Sequence, residues 1–267
     1  MPKRTFVYGA TILLGANLVN RILGFAYQYL IMNDIGGEAY GLFNMVFPIY
    51  MLALVLTTAG IPLAIAKMVS EEVSLGRTAQ AQAIFRLAFW LLLISGAIVS
   101  SVLYFLTPFL THRIFPDPRV LTIFQICTPA IFIVSISSVF RGYFQGLQNM
   151  VPTAISQICE QVIRVTVGYA AALQLLNAGV EWAAAGLALG MLAGEMVGLL
   201  VIAIQYRFVM PKFKAENGFT LGKVIKNITW HCMCRGRCQK MCTNAHYKAK
   251  EDYCHSGCKC VTKVLPN

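Results

Sequence analysis

A glutamate and an arginine lie four residues apart inside a long apolar segment of this chain. The segment covers residues 150–176, and the pair is Glu160 and Arg164. An ionised side chain at mid-bilayer depth costs at least about 2.5–3.5 kcal/mol, so such groups usually face a partner or a water-filled cavity. We therefore expect Glu160 and Arg164 to point inward, toward a transport pathway.

A polar stripe surrounds Arg21 in the first apolar segment. Asn17, Arg21 and Gln28 follow an i, i+4, i+11 spacing, which places them on one face of a helix. A guanidinium stays charged and binds phosphate oxygens in a bidentate way, so this stripe suits an anionic ligand. The alternative is an internal salt bridge from Arg21 to Glu160 or Glu195.

The last apolar segment combines a carboxylate with a row of glycines. Gly186, Gly190, Gly194 and Gly198 recur at every fourth position, and Glu195 lies beside them. Such a stripe lets another backbone approach closely, so we favour tight helix packing as its role. Glu195 either takes part in transport or is a protonated carboxyl group bonded to a neighbouring helix.

Six apolar segments position these residues, and together they predict an all-α integral membrane protein. Hydrophobic residues make up 57% of the chain, charged residues only 12%, and the mean hydropathy is +0.64. A hydrocarbon core needs roughly 20 apolar residues to be crossed by a helix. The predicted spans are residues 6–32, 42–66, 87–110, 120–142, 152–176 and 182–206. The first is too long for a signal peptide and lacks a convincing cleavage site.

The prolines at positions 48, 62, 108, 129 and 152 either break helices or begin them. Pro48 and Pro62 lie inside the second segment, where a lost backbone hydrogen bond permits bending. The bend is either a hinge or a packing kink. Pro152 follows a short polar turn and is typical of the first turn of a helix.

Lysines and arginines in the loops predict the orientation of the bundle, because the cytoplasmic side retains the positive loops. The positions expected to be cytoplasmic are Lys3, Arg4, Lys67, Arg77, Arg86, Arg141, Arg207, Lys212 and Lys214. The loops on the opposite side hold mixed charges, namely Asp34, Glu38, Arg113, Asp117, Arg119 and Glu181. We therefore expect a multi-pass protein of the cell membrane with both termini in the cytoplasm.

The net charge of +11 is concentrated at the end of the chain. Residues 1–206 carry 10 basic against 8 acidic side chains, whereas residues 207–267 carry 12 against 3. A basic cluster next to the last span is typical of a topology determinant that contacts anionic lipids. We therefore expect membrane lipids, and no nucleic acid, as partners.

Four blocks of sequence resemble a known family. They are residues 20–25 (Asn-Arg-Ile-Leu-Gly-Phe), 35–42, 60–67, and 140–146 running into 152–157 with Glu160, Gln161 and Arg164. In this order they resemble the stage V sporulation protein B and polysaccharide-export branch of the flippase superfamily. The match covers residues 5–212 and corresponds to the N-terminal half of such proteins. Lipid II flippases differ after the first block, where this chain has Tyr27 and Gln28.

The resemblance implies one lobe of a two-lobed transporter with a central cavity. Its implied cargo is an undecaprenyl-diphosphate-linked sugar, moved across the membrane by alternating access for cell-wall, spore-cortex or polysaccharide export. The residues that would bind this substrate are Arg21, Gln28, Arg141, Gln145, Glu160, Arg164 and Glu195. The arginines would bind the diphosphate, and the carboxylates would hold the arginines or carry a coupling proton or cation.

No enzymatic chemistry is predicted. The sequence has no phosphate-binding glycine loop, no nucleophile with a base and no nucleotide motif, so we expect no catalytic residue and no cofactor. Two other functions stay open. One is a drug/cation antiporter of the same superfamily, against which the arginines argue. The other is a non-transporting membrane protein with a zinc-binding cytoplasmic tail.

The end of the chain departs from the family pattern after Lys226, where a seventh span is expected. We divide the chain into a lobe of six helices (1–212), an amphipathic linker (213–228) and a basic Cys-rich tail without a predicted regular fold (229–267). The candidate zinc ligands are Cys232, Cys234, Cys238, Cys242, His246, Cys254, His255, Cys258 and Cys260. Their spacing is not the usual paired C-x2-C pattern, so no metal site is assigned. Disulfide bonds between the tail cysteines are the least expected alternative, because the tail is predicted to lie in the reducing cytoplasm. A tail translated out of frame is the interpretation we favour.

A chain with only six spans would be half of a transporter. We expect such a lobe to expose Arg21, Glu160, Arg164 and Glu195 to lipid. It would then be unstable, self-associate through the face of the Gly186–Gly198 stripe, or require a separate second transmembrane half.

Overall fold

Seven α-helices of the described residues form a bundle. The described residues contain no strand. The computed structural model describes residues 3–58, 60–115 and 117–209. The helices are α1 (Lys3–Asp34), α2 (Gly37–Thr58), α3 (Ile61–Ser74), α4 (Thr78–Ile114), α5 (Val120–Gly146), α6 (Val151–Leu175) and α7 (Val180–Val209). The linker and the Cys-rich tail, with all its candidate zinc ligands, lie outside the described residues.

The protein is an all-α membrane protein, as predicted. Four described helical segments are long and apolar enough to cross a membrane: Gly37–Ser74, Thr78–Thr111, Val120–Gly146 and Val180–Phe208. The other two predicted spans correspond to α1 and α6, which have 32 and 25 residues. These two helices are less apolar because they carry Arg21, Glu160 and Arg164.

The second predicted span is not one bent helix, because Pro62 begins a helix instead of bending one. Helix α2 ends at Thr58, and Gly60 has a positive φ of 77°. Pro62 lies in the first turn of α3, where its missing N–H would have no helical partner in any case. A left-handed glycine followed by a first-turn proline therefore starts a new helix. Pro48 does lie inside α2, and Pro152 lies in the first turn of α6, as predicted.

Polar contacts between helix ends mark one end of the bundle, which we call the Asp34 end. The Tyr169 hydroxyl of α6 donates to Asp34 Oδ2 over 2.6 Å, and Arg119 Nη1 lies 3.2 Å from Glu38 Oε1. At the opposite end, Tyr206 of α7 stacks on Phe85 of α4 at 4.5 Å between ring centroids. Successive loops between the spans thus lie at alternate ends of the bundle, as six membrane crossings require.

The buried core lies between α2, α5 and α7. Large side chains that are completely enclosed there include Phe124, Ile131 and Leu187. The outer faces of α1, α2 and α4 expose large apolar side chains, among them Phe25, Leu56 and Phe105. Apolar outer faces are expected of helices that contact lipid.

Candidate substrate site

The site centres on Glu160, which binds two arginines from two helices. Arg141 of α5 donates from Nη2 to Glu160 Oε2 over 2.6 Å, and Arg164 of α6 donates from Nη2 to Oε1 over 2.7 Å. Glu160 and Arg164 are one helical turn apart, so they share a face of α6. Glu160 is buried. The predicted inward orientation of this pair is therefore present in the structure.

Glu195 of α7 completes the site by accepting a hydrogen bond from the same nitrogen of Arg164. The distance from Arg164 Nη2 to Glu195 Oε1 is 2.7 Å, and Glu195 is 6% exposed. We call Arg141, Glu160, Arg164 and Glu195 the charge tetrad. Two positive and two negative side chains make it formally neutral, which reduces the cost of holding charges at this depth.

The glycine stripe of α7 makes the tetrad possible. A Cβ placed on Gly194 would lie 2.8 Å from the Glu160 carbonyl oxygen, and one on Gly186 would lie 2.7 Å from the Ala172 nitrogen. Only glycine at these positions lets the backbones of α6 and α7 approach so closely. The predicted tight helix packing is therefore confirmed.

This packing also corrects one expectation about partners. Helix α6 covers the face of the stripe from Gly186 to Gly198. The expected self-association through that face is therefore wrong, because the surface is already buried inside the lobe. The expectation that Glu160 and Glu195 would be exposed to lipid is wrong for the same reason, since both are buried.

The tetrad leaves three buried polar atoms without a hydrogen-bond partner among the described residues. These are the Nε atoms of Arg141 and Arg164 and the Oε2 atom of Glu195. A buried polar atom without a partner costs free energy and calls for an explanation. The site therefore has two spare N–H donors and one spare carboxylate oxygen.

Gln161 is a site residue that the list of predicted ligands missed. Its Oε1 accepts a hydrogen bond from Arg164 Nη1 over 3.2 Å. Its Nε2 faces α1, 3.6 Å from the position that a Cβ on Gly24 would occupy. The i, i+3 spacing of Gln161 and Arg164 could have indicated this contact. Gln161 thus connects Arg164 to the first helix.

Three of the predicted substrate residues lie outside the tetrad. Arg21 and Gln28 are exposed on α1, and within the described part of the chain Arg21 forms no ion pair with Glu160 or Glu195. The structure therefore does not contain the alternative, which was an internal salt bridge from Arg21 to Glu160 or Glu195. Gln145 is half-buried on α5, one turn beyond Arg141, and does not join the ion pairs.

At the Asp34 end, exposed charges form a separate group. The hydrogen bond from Tyr169, with a second one from Asn33, lowers the pKa of Asp34 below its ordinary value. Hydrogen bonds from Arg119 lower the pKa of Asp117, and Asp117 in turn raises the pKa of Arg119. These contacts join the ends of α1 and α6 and connect α2 to the loop before α5.

Similarity to known proteins extends over most of the chain. The family described as "Polysaccharide biosynthesis protein" matches residues 6–230. Stage V sporulation protein B of Bacillus subtilis (strain 168) is 37% identical over 208 residues, which are 78% of this chain and 40% of that protein. Lipid II flippase MurJ of the same strain is 28% identical over 209 residues, or 74% and 38%. No solved structure matches the chain.

The chain spans about two fifths of the length of these two curated relatives. The family match ends at Trp230, two residues before the first cysteine of the tail, Cys232. The charge tetrad and the glycine stripe both lie inside the matched region.

Proposed function

Because this chain belongs to the polysaccharide biosynthesis protein family, we propose that it forms part of a flippase for a saccharide carried on a lipid diphosphate. An undecaprenyl-diphosphate-linked sugar, used for cell-wall, spore-cortex or polysaccharide export, is the cargo class. The diphosphate binds to Arg141 and Arg164, with Arg21 as a third cationic group on α1. The names of the relatives, a sporulation protein and a lipid II flippase, support this class of cargo.

One observation supports the proposed site more than any other. Arg141 and Arg164 both direct an Nη2 at the carboxylate of Glu160, while the Nε of each has no acceptor in the described part of the chain. Each guanidinium thus uses part of the fork with which arginine binds planar or tetrahedral oxyanions in a bidentate way. Glu160 occupies the place of an anionic ligand between two arginines.

The same geometry disfavours an antiporter of drugs or cations. A cation site needs carboxylates that are free to bind the cation, but Glu160 and Glu195 are both paired with Arg164. The positive potential of two arginines would repel a cationic drug from this position.

The exposed position of Arg21 supports a cavity that a second transmembrane half closes. It is exposed on α1 and has no ion pair among the described residues. An unpaired arginine in a membrane helix is costly unless it faces protein, water or an anion. We infer that Arg21 faces a cavity closed by a second transmembrane half.

We further infer that both termini are cytoplasmic and that residues 229–267 are read out of frame. Lys67, Arg77 and Arg86 surround the connection of α3 to α4, as the positive-inside rule requires of a cytoplasmic loop. The end of family similarity at residue 230, next to the cysteines, supports the change of frame. Sequencing the gene downstream of the Lys226 codon tests this: an apolar segment in another frame is expected, and its absence in all three frames would contradict it.

Binding to the purified chain tests the proposed site. We expect the chain in lipid nanodiscs to bind a short-chain lipid diphosphate sugar, and the double variant Glu160→Gln with Arg164→Gln to lose at least about tenfold in affinity. The double change removes one charge of each sign, so the tetrad stays formally neutral, with Arg141 and Glu195 as its remaining charges. Arg77→Gln, an exposed arginine in the loop before α4, is the matched control and should bind normally. Equal affinities of all three proteins would exclude this site.

A further inference from the structure

Glu195 has one carboxylate oxygen that nothing in the described lobe satisfies. Its Oε1 accepts from Arg164, whereas its Oε2 is buried and has no hydrogen-bond partner. The residue as a whole is more than nine-tenths buried. A buried carboxylate with a bare oxygen depends for its negative charge on the single guanidinium beside it.

That guanidinium is shared with a second carboxylate. Arg164 Nη2 lies 2.7 Å from Glu160 Oε1 and 2.7 Å from Glu195 Oε1, so the two acceptor oxygens lie within twice that distance of each other. Glu160 also has Arg141 as a counter-charge, but Glu195 has no second arginine among its ion pairs in the described residues. Glu195 is therefore the member of the tetrad that depends most on Arg164.

Binding of an anion to Arg164 would remove the counter-charge on which Glu195 depends. A diphosphate that takes the donors of Arg164 adds negative charge next to two buried carboxylates. Two neighbouring carboxylates without sufficient counter-charge cannot both stay ionised, and one takes up a proton. We propose that binding of a diphosphate at the tetrad is accompanied by uptake of one proton from solvent by the Glu160–Glu195 carboxyl pair.

This inference rests on the proposed function and adds to it a second ligand, the proton. The two spare N–H donors suit the oxygens of an anion, and the spare Oε2 of Glu195 suits a proton. The described side chains of the site thus have unused hydrogen-bonding capacity for both. On release of the anion, Glu195 pairs with Arg164 again and returns the proton to solvent.

No other described group near the tetrad would take up this proton at neutral pH. Besides the two arginines, the described ionisable side chains that interact with the tetrad include Tyr27 on α1 and Tyr50 on α2, and Cys127 on α5 lies near Tyr50. Tyrosine and cysteine are uncharged and already protonated in the neutral range. The carboxyl pair is therefore the part of the described site that can accept a proton.

Calorimetry on the full chain in lipid nanodiscs tests the proposal. The probe is P1,P2-dimethyl diphosphate, whose diester form has no group that titrates near neutrality. Binding heats measured in two buffers of different ionisation enthalpy give the number of protons taken up. We expect about one proton per bound probe, and an affinity that increases by up to about tenfold for each unit of decrease in pH.

Two variants separate the carboxyl pair from the rest of the lobe. Glu195→Gln should bind the probe without proton uptake and without pH dependence, because an amide cannot be protonated in this range. Glu181→Gln, a carboxylate at the start of α7 outside the tetrad, should behave as the unaltered chain does. Probe binding without proton uptake in the unaltered chain overturns this inference and leaves the proposed site intact. Failure of the unaltered chain to bind the probe overturns both.

Discussion

Gly198 of α7 packs against the side chain of Glu160 on α6. A Cβ on Gly198 would lie 3.1 Å from both Cβ and Oε2 of Glu160. The same oxygen accepts the hydrogen bond from Arg141. The glycine stripe therefore does more than pack two helices, because it also fixes the carboxylate at the centre of the tetrad.

Gly194→Ala is expected to destabilise the lobe by about 1–3 kcal/mol, as overpacking of a dense interior does. The new Cβ would lie 2.8 Å from the Glu160 carbonyl oxygen, and backbone atoms cannot rotate away as a side chain can. Gly15→Ala on α1 is the control, because no atom of the described residues lies within 4 Å of the added carbon. It should stabilise the helix by about 0.5–1 kcal/mol. Unfolding in detergent measures both, and equal effects would contradict the packing role.

Exchanging the charges of Glu160 and Arg164 is expected to destabilise the protein rather than restore it. The variant Glu160→Arg with Arg164→Glu keeps one pair but places like charges beside Arg141 and Glu195. The loss should reach at least the roughly 3–5 kcal/mol that a broken buried pair costs. Inverting all four residues of the tetrad restores every pairing and should recover part of the stability. Yields of folded protein after extraction compare the two, and a stable two-residue exchange would show that Arg141 is not a true partner.

Sequence reasoning identified the helices of the lobe because their signal is local. Apolar length predicted the segments, and the charges of α6 predicted its inward face. The ends of α5 and α6 lie within a few residues of the predicted spans, since residues 120–142 and 152–176 became Val120–Gly146 and Val151–Leu175. The break between α2 and α3 was missed because Gly60 lies within an otherwise continuous apolar run.

The partners within the site could not be predicted in the same way. Arg141 and Glu160 are 19 residues apart on different helices, so their contact depends on the register of α5 against α6. Glu195 reaches Arg164 only because the glycine stripe sets the distance between α6 and α7. Arg21 was expected either to bind a ligand or to pair with a carboxylate, and only its exposed position on α1 separates these alternatives.

Tyr169→Phe is expected to reduce the pH dependence of stability in the acidic range. The pKa of Asp34 is lower in the folded state, chiefly because of the Tyr169 hydroxyl, so this contact stabilises the protein above the unfolded pKa of the carboxyl group. The stabilisation disappears as the pH falls through the folded pKa. Thermal unfolding at a series of pH values measures the slope. Tyr29→Phe, an exposed tyrosine on α1, is the control, and identical slopes for the two variants would contradict the assignment.

Single cysteines at Glu38 and Glu181 are expected to react with an impermeant reagent added to intact cells, whereas a cysteine at Arg77 should react only after lysis. Glu38 and Glu181 lie at the starts of α2 and α7, and Arg77 precedes α4. The native cysteines must be replaced first, including buried Cys127 and half-buried Cys159. The opposite labelling pattern would place the termini outside and reverse the orientation inferred from the basic loops.

Arg21 and Arg164 are expected to respond in opposite ways when each is replaced by leucine in the chain alone. Arg164→Leu leaves Glu195 without a counter-charge and should cost about 3–5 kcal/mol. Arg21→Leu removes an exposed arginine that pairs with no described residue, and on the lenient insertion scale it should gain about 2.5–3.5 kcal/mol. Unfolding in lipid bilayers measures both changes. A residue that lowers stability but is present nonetheless is expected at a functional site. If Arg21→Leu destabilises the protein instead, Arg21 supports the fold of this lobe and does not face a cavity.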